Sequence, residues 1–420
     1  MVFSSRQDNG VTVLLEPIEG VVSVSVGLWI KAGSRNERAD QLGYAHFVEH
    51  MLFKGTKYHS VRDIALIVDR VGGQHNAATN REYTCYYINV VSDYLDLAVR
   101  LLAEMYYDSL FDAGELEKEK NVVMEEIRKD EDTPDELIHD VFMECMLKGH
   151  PLAHTPLGTI ESIRETTRES MLGFFEEQYR NDNILVAIAG NCDKTAAEGT
   201  VQKYFSRPSG KPAPAIVPAP PSARVDYHHI EKKDLEQVHF CLGADGIKRD
   251  DKDRWALSIL STILGGSMSS RLFQNIREKE GICYSIYSFY SSYSDNGVFG
   301  IYCATEPDKY ARAVDLVAAE CRNIIGAGIT DEELQDAKDF LKGNLALSLE
   351  SVEVRMGWLA KDEITFGKNF TFKDIIDSIN GVTQDDFGRI CDRVFGRKKL
   401  SVVSVGRLAG RKVPKSGILL

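Results

Sequence analysis

No stretch of this chain approaches the roughly 18 to 20 consecutive apolar residues that a membrane-spanning helix needs, so no membrane span is expected in its 420 residues. No Cys-x-x-Cys pair occurs either, and the eight cysteines (Cys85, Cys145, Cys192, Cys241, Cys283, Cys303, Cys321 and Cys391) stand far apart. That spacing signals neither a zinc knuckle nor a redox pair. Thiols in apolar surroundings read as buried and free. An excess of positive charge is also missing: 63 acidic residues face 50 basic ones, a net charge of −13. The balance argues against nucleic acid as the main partner and mildly favours basic ligands, although a solvated acidic surface accounts for the charge equally well. The first residues, Met1 to Gly10, have no signal-peptide architecture. These absences together lead to the expectation of a cytoplasmic protein in a reducing compartment. The remaining composition, 43% hydrophobic and 27% charged, is that of an ordinary globular protein, long enough for two or more domains.

What is present centres on His46-Phe47-Val48-Glu49-His50. On a helix, positions 46 and 50 leave the same face one turn apart. Two neutral imidazoles so placed suit two corners of a tetrahedral zinc site. Glu49 reaches the same side as a base rather than as a ligand. Leu42, Ala45, Val48, Met51 and Leu52 give the helix apolar anchors, and Gly55 suits its C-terminal stop. The bland alternative is a pair of surface histidines.

Strands are expected at 11–18 and 21–30, then the His-bearing helix at 42–54. Ser60 suits the cap of a helix running to Val71, where Gly72-Gly73 breaks it. A long strand-like run covers 74–90. Helical patterns follow at 92–108, 113–130, 135–147 and 168–178, then a buried-type strand at 183–190 and a helix at 193–205. From Pro208 to Arg224 proline and small residues accumulate, the composition of an extended interdomain linker. The second half then echoes the first. Lys399–Gly406 resembles Ile184–Gly190, their closing glycines 216 residues apart. Helices are expected at 252–264 and 269–279, and a hairpin turns at Asp295-Asn296-Gly297. The fold class is therefore α+β, two tandem homologous sandwich domains at 1–207 and 225–420 joined by a linker at 208–224. The last histidine is His239, so only the first half can carry the His-x-x-Glu-His site.

A third ligand is to be sought in Glu115–Ile127, where Glu119 and Glu126 lie seven residues apart on one helical face. One can bind the ion while the other braces a ligand; a solvated charged face is the alternative. Here the chain resembles the pitrilysin-like (inverzincin, M16) zinc peptidases. In that family a metal-binding glutamate follows the motif by about the interval that separates Glu126 from His50, 76 residues. The resemblance is to the short, half-length type, such as the catalytic subunit of the mitochondrial processing peptidase, and covers about Val11 to Gly406.

The resemblance implies one Zn²⁺ per chain held by His46, His50 and Glu126, with Glu119 in support and Glu49 as general base. It implies that Asn76 and Ala77, within Gly72–Glu82, lie on an edge strand that pairs with an extended peptide. It also implies that Arg277 and Tyr284 reach the substrate near the scissile bond. Glu136 and Asp140 take the places of two acids that read a basic side chain. The activity implied is endopeptidase cleavage of short or unfolded peptides within a closed chamber. Two domains are half of the family's clamshell, so a homodimer is implied, with Arg277 and Tyr284 serving the zinc of another protomer. A non-catalytic or partner-dependent subunit of the same family is the alternative. No nucleic acid and no membrane partner is expected.

Overall fold

The computed structural model describes residues 2–208, 214, 219, 223–396, 399–408 and 417–420. Most of the expected linker at 208–224 lies outside the described residues. The chain divides into two compact units. The first comprises Met1–Lys129, His154–Val217 and Ser348–Asn369; the second comprises Asp130–Ala153, Pro218–Leu347 and Phe370–Leu420. Neither unit is one continuous stretch.

The first unit is built on β1 (Phe3–Arg6), β2 (Thr12–Pro17), β3 (Ser23–Ile30), β4 (Gln74–Thr79), β5 (Thr84–Val91) and β6 (Ile184–Gly190). Their order in the sheet is β1-β2-β6-β3-β5-β4, with β2 parallel to β6 and the other pairs antiparallel. The apolar run of β6 is buried along its whole length, as a central strand covered on both faces requires. The terminal strand β4 alternates exposed Gln74, Asn76 and Ala78 with half-buried His75, Ala77 and Thr79. The long strand expected at 74–90 is instead a hairpin, β4 folding back on β5. Its turn is closed by the Asn80 N–H donating to the Tyr83 carbonyl at 2.8 Å. A buried Arg35–Glu82 ion pair, 2.9 Å between atoms, holds that turn in place. On one face of the sheet the His-bearing helix (Tyr44–Leu52) buries Phe47, Val48, Met51 and Leu52. On the other, helix Val352–Phe366 buries Met356, Leu359 and Ala360 against Leu14, Trp29, Leu185 and Ala187. Side chains such as Met356 and Leu359 each contribute about 1.5–3 kcal/mol by leaving water.

The second unit uses β7 (Tyr227–Glu231), β8 (Val238–Asp245), β9 (Cys283–Ser292), β10 (Gly297–Thr305), β11 (Lys399–Gly406) and β12 (Ile418–Leu419). Its order runs β12-β11-β8-β10-β9, with β7 parallel to β11. This repeats the first sheet: β7, β11, β8, β10 and β9 occupy the places of β2, β6, β3, β5 and β4. The echo between β6 and β11 extends to backbone geometry. Gly190 and Gly406 close the two strands at φ +133° and +144°, and a Cβ there would meet a neighbouring carbonyl oxygen at 2.4 and 2.7 Å. Helix Pro134–Met146 covers the sheet with Ile138, Phe142 and Met146 against Cys241, Tyr302, Val403 and Val405. Each half of the chain thus supplies the helix that covers the other half's sheet. The segment expected as an ordinary helix at 269–279 is π-helical over Phe273–Lys279. All eight cysteines are free, and all but half-exposed Cys192 are buried. Among the described residues no helix is long and apolar enough to cross a membrane.

Candidate metal centre

The His-bearing helix starts at Gly43, whose φ of 88° only glycine adopts cheaply. A Cβ at Gly43 would also lie 2.7 Å from the Leu157 carbonyl oxygen. Glu37 caps this start: its two carboxylate oxygens accept from the Gly43 and Ala45 N–H groups at 2.9 and 2.8 Å. Negative charge there complements the helix dipole, although burial pushes the Glu37 carboxyl well above the usual range.

One turn apart on this helix, the Nε2 atoms of His46 and His50 face each other at 3.1 Å. Glu126, from helix Ala113–Asp132, brings Oε2 to 3.5 Å from His50 Nε2 and 3.8 Å from His46 Nε2. These three ligand atoms lie within 4.8 Å of one another and form the one group able to hold a metal ion among the described residues. The fit can be tested on geometry. Two nitrogens each about 2.05 Å from a tetrahedral ion stand about 3.3 Å apart, close to the spacing seen. The donor set, two imidazoles and a carboxylate, suits zinc chemistry. Burial, together with the His50 charge, lowers His46 to about 3, so its imidazole is neutral and ready to ligate.

The two rings are braced differently. His50 Nδ1 pairs with Glu119 Oε1 at 2.9 Å, and the other Glu119 oxygen takes Lys54 Nζ at 2.6 Å. Glu119 is only 5% exposed. Burial works against its charge, but the bonds from His50 and Lys54 outweigh it and hold the carboxyl below its usual range. Burial alone would lower His50; the Glu119 bond and the charges of Glu126 and Glu49 reverse this and raise it. His46 Nδ1 is buried with no hydrogen-bond partner among the described residues, so no side chain braces that ring from behind as Glu119 braces His50.

Glu49 stands beside this group. Burial is the main cause raising its carboxyl, the Glu126 charge adds to the rise, and the Thr79 hydroxyl and His50 oppose it. Thr79 Oγ1 donates to Glu49 Oε2 at 2.5 Å. Asn76 and Ala77 lie on β4, whose pairing is with β5 alone among the described strands. Thus the first unit brings together His46, His50, Glu126, Glu119 and Glu49, with Asn76 and Ala77 on the adjacent strand. Three contributors escaped the sequence reading. Lys54 was findable, lying four residues past His50 just beyond the end of the helix. Alternation along β4 puts Thr79 on one face of the strand, but nothing local ties it to Glu49. Glu37 left no local signal.

The other four expected site residues belong to the second unit. Arg277 lies in the π-helical segment, its guanidinium 4.4 Å from the Phe273 ring centre and 5.1 Å from that of Tyr284. Tyr284, on the terminal strand β9, is 77% exposed. Glu136 and Asp140 lie one turn apart beside Asp130. Burial and then the charges of Asp140 and Glu136 push the Asp130 carboxyl up to about 6.

The structure thus defines a protein with a candidate metal-site helix on a duplicated α+β scaffold, and comparison with known sequences gives its family. Residues 12–160 match the family model Insulinase (Peptidase family M16), and residues 165–341 match Peptidase M16 inactive domain. The chain belongs to peptidase family M16. It is 38% identical over 390 residues to a Bacillus subtilis protein named an uncharacterized zinc protease, covering 92% of this chain and 94% of that one. A Streptomyces coelicolor protein of like name is 35% identical over 401 residues, covering 94% and 87%. The crystal structure of a protease from Helicobacter pylori superposes with a TM-score of 0.90 at 25% identity, covering 97% and 99% of the two chains. A peptidase M16 inactive domain structure from Pseudomonas fluorescens shares the fold, with a TM-score of 0.91 at 24% identity over 100% of both chains.

Proposed function

We propose that this chain is a zinc-dependent endopeptidase that hydrolyses short or unfolded peptides. One observation carries the reading: His46, His50 and Glu126, far apart in sequence, converge with their ligand atoms within 4.8 Å of one another. These three residues would hold one Zn²⁺ per chain. When bound, zinc polarises the substrate carbonyl and makes water easier to deprotonate. Glu49 Oε1 accepts the proton of the attacking water and delivers it to the leaving nitrogen. The raised carboxyl of Glu49 suits a group that must both take and return a proton. Glu119, anchored by Lys54, holds the His50 ring. The β4 edge pairs with the peptide backbone through Asn76 and Ala77, so that binding demands little of the sequence.

Arg277 and Tyr284 hold the substrate backbone and steady the developing oxyanion. They act in a homodimer, each protomer's second unit serving its partner's zinc site within a closed chamber. Glu136 and Asp140 favour a basic residue near the cut.

Digestion of a mixed peptide library, with and without chelator and with cut sites read by mass spectrometry, tests the activity. Chelator-sensitive cleavage enriched in nearby arginine is expected. The Glu49→Gln protein should keep its zinc and lose cleavage, and cleavage by a zinc-loaded Glu49→Gln protein would remove Glu49 from its role. Light scattering of the lone active protein should show a dimer. An active monomer would remove the dimer from the reading.

A further inference from the structure

We propose that Thr79 is a positioning residue: its hydroxyl fixes the Glu49 carboxylate and registers the peptide-bearing edge strand to it. The inference rests on the reading of Glu49 as general base. Thr79 is the last residue of β4, and the alternation of a strand puts His75, Ala77 and Thr79 on one face. Two contacts tie this face to the His-bearing helix and the residue that ends it. The His75 ring centre lies 5.6 Å from that of Phe53, and Thr79 Oγ1 donates to Glu49 Oε2 at 2.5 Å. Asn76 and Ala77 lie between these two anchors. A peptide laid along β4 is thereby set against the base through one side chain.

The chemistry of the bond suits this task. An O–H donor on a carboxylate makes a short, charge-assisted bond. The terminal torsion of a glutamate is a broad rotor, and a fixed donor on Oε2 narrows it, leaving Oε1 as the proton acceptor. Threonine's branched Cβ has few χ1 states, so the donor is itself held. Orientation of this kind acts on the chemical step more than on binding, because small displacements of a reacting group cost rate steeply.

The test compares zinc-loaded wild type, Thr79→Val, Thr79→Ser and Glu49→Gln on one peptide taken from the library digest. Thr79→Val keeps the shape and loses the donor; Thr79→Ser keeps the donor. Thr79→Val should lower kcat about tenfold, with KM within about twofold of wild type and zinc content unchanged. Thr79→Ser should return kcat to within about threefold. A second readout needs no activity. In ¹³C spectra of the metal-free protein, the Glu49 carboxyl resonance, identified by its loss in Glu49→Gln, should shift in Thr79→Val and return in Thr79→Ser. Wild-type kcat in Thr79→Val, an unmoved resonance, or a Thr79→Ser protein as slow as Thr79→Val would each overturn the inference. Inactive zinc-loaded wild type would sink the peptidase reading instead, and the resonance would still decide the Thr79 contact.

Discussion

Glu119 does not touch the three converging ligand atoms, yet it decides how firmly one of them is held. Its buried carboxylate is shared between His50 and Lys54. Replacing it with glutamine keeps the shape and removes the charge that orients the His50 ring. Zinc affinity should then fall about 10- to 100-fold, the usual cost of losing such a brace. Competition with a chromophoric chelator measures this, and unchanged affinity would show that the bond is idle. Asp130 carries a different signature. Its folded carboxyl titrates at about 6, raised by burial and by Asp140 and Glu136. A carboxyl raised on folding binds its proton more tightly in the native state, so stability falls as pH rises through about 4 to 6. Asp130→Asn should therefore raise the melting temperature at pH 7 and leave it unmoved at pH 3.5. An equal shift at both would detach the effect from this carboxyl. The placing of His46 and His50 on one helical face was legible from spacing, whereas the choice of Glu126 over Glu119 came from the family resemblance, and the structure brings Glu126 to the two imidazoles. The hold of Thr79 on Glu49 was not read, because it joins a strand face to a helix face 30 residues away.

The β4–β5 hairpin shows why a local pattern stops short. Asn80-Arg81-Glu82-Tyr83 contains neither glycine nor proline, so the run from 74 to 90 reads as one strand. What bends it is remote: Arg35 reaches across to Glu82, both side chains almost fully buried. The Ser34 and Arg35 N–H groups also donate to the carbonyls of Asn80 and Arg81, at 3.2 and 2.9 Å. Arg35→Met would leave Glu82 buried without its guanidinium partner, a loss of about 3 kcal/mol. The denaturation midpoint should fall with the slope unchanged; a midpoint within error of wild type would mean that the ion pair is not needed for the turn. By contrast, the hairpin expected at Asp295-Asn296-Gly297 was legible from its local run of turn-forming residues, although Gly297 already pairs with Ser292 and neither it nor Asn296 takes a positive φ. In the structure Tyr293 N–H donates to the Asn296 carbonyl at 2.8 Å. Cap chemistry was legible for the same local reason. The Ser60 hydroxyl accepts from the Asp63 N–H, and Asp63 returns a bond to the Ser60 N–H at 3.1 Å.

The duplication was legible as paired strands with matching glycine endings, and the two sheets repeat the same order. The exchange of helices was not. Amphipathic periodicity says that a helix is buried, and not on which sheet. Helix Val352–Phe366 covers Leu14, Trp29, Leu185 and Ala187 of the first sheet, while Pro134–Met146 covers the second. A fragment ending at residue 207 would therefore expose an apolar sheet face that the whole chain keeps dry. It should aggregate or stay unfolded alone, and supplying residues 225–420 in the same cell should rescue it. A stable, monomeric 1–207 fragment with native-like near-ultraviolet circular dichroism would contradict this. The same architecture matters for function, because the helix carrying His46 and His50 packs on the opposite face of the sheet so covered. Peptide hydrolysis by this chain would depend most on the convergence of two imidazoles and a distant carboxylate on one ion. Equilibrium dialysis against buffered zinc, followed by elemental analysis of wild type and Glu126→Ala, tests it directly. One zinc per wild-type chain and a large loss in the variant is the expected result; a Glu126→Ala protein that binds zinc as tightly and cleaves peptides as fast would contradict it.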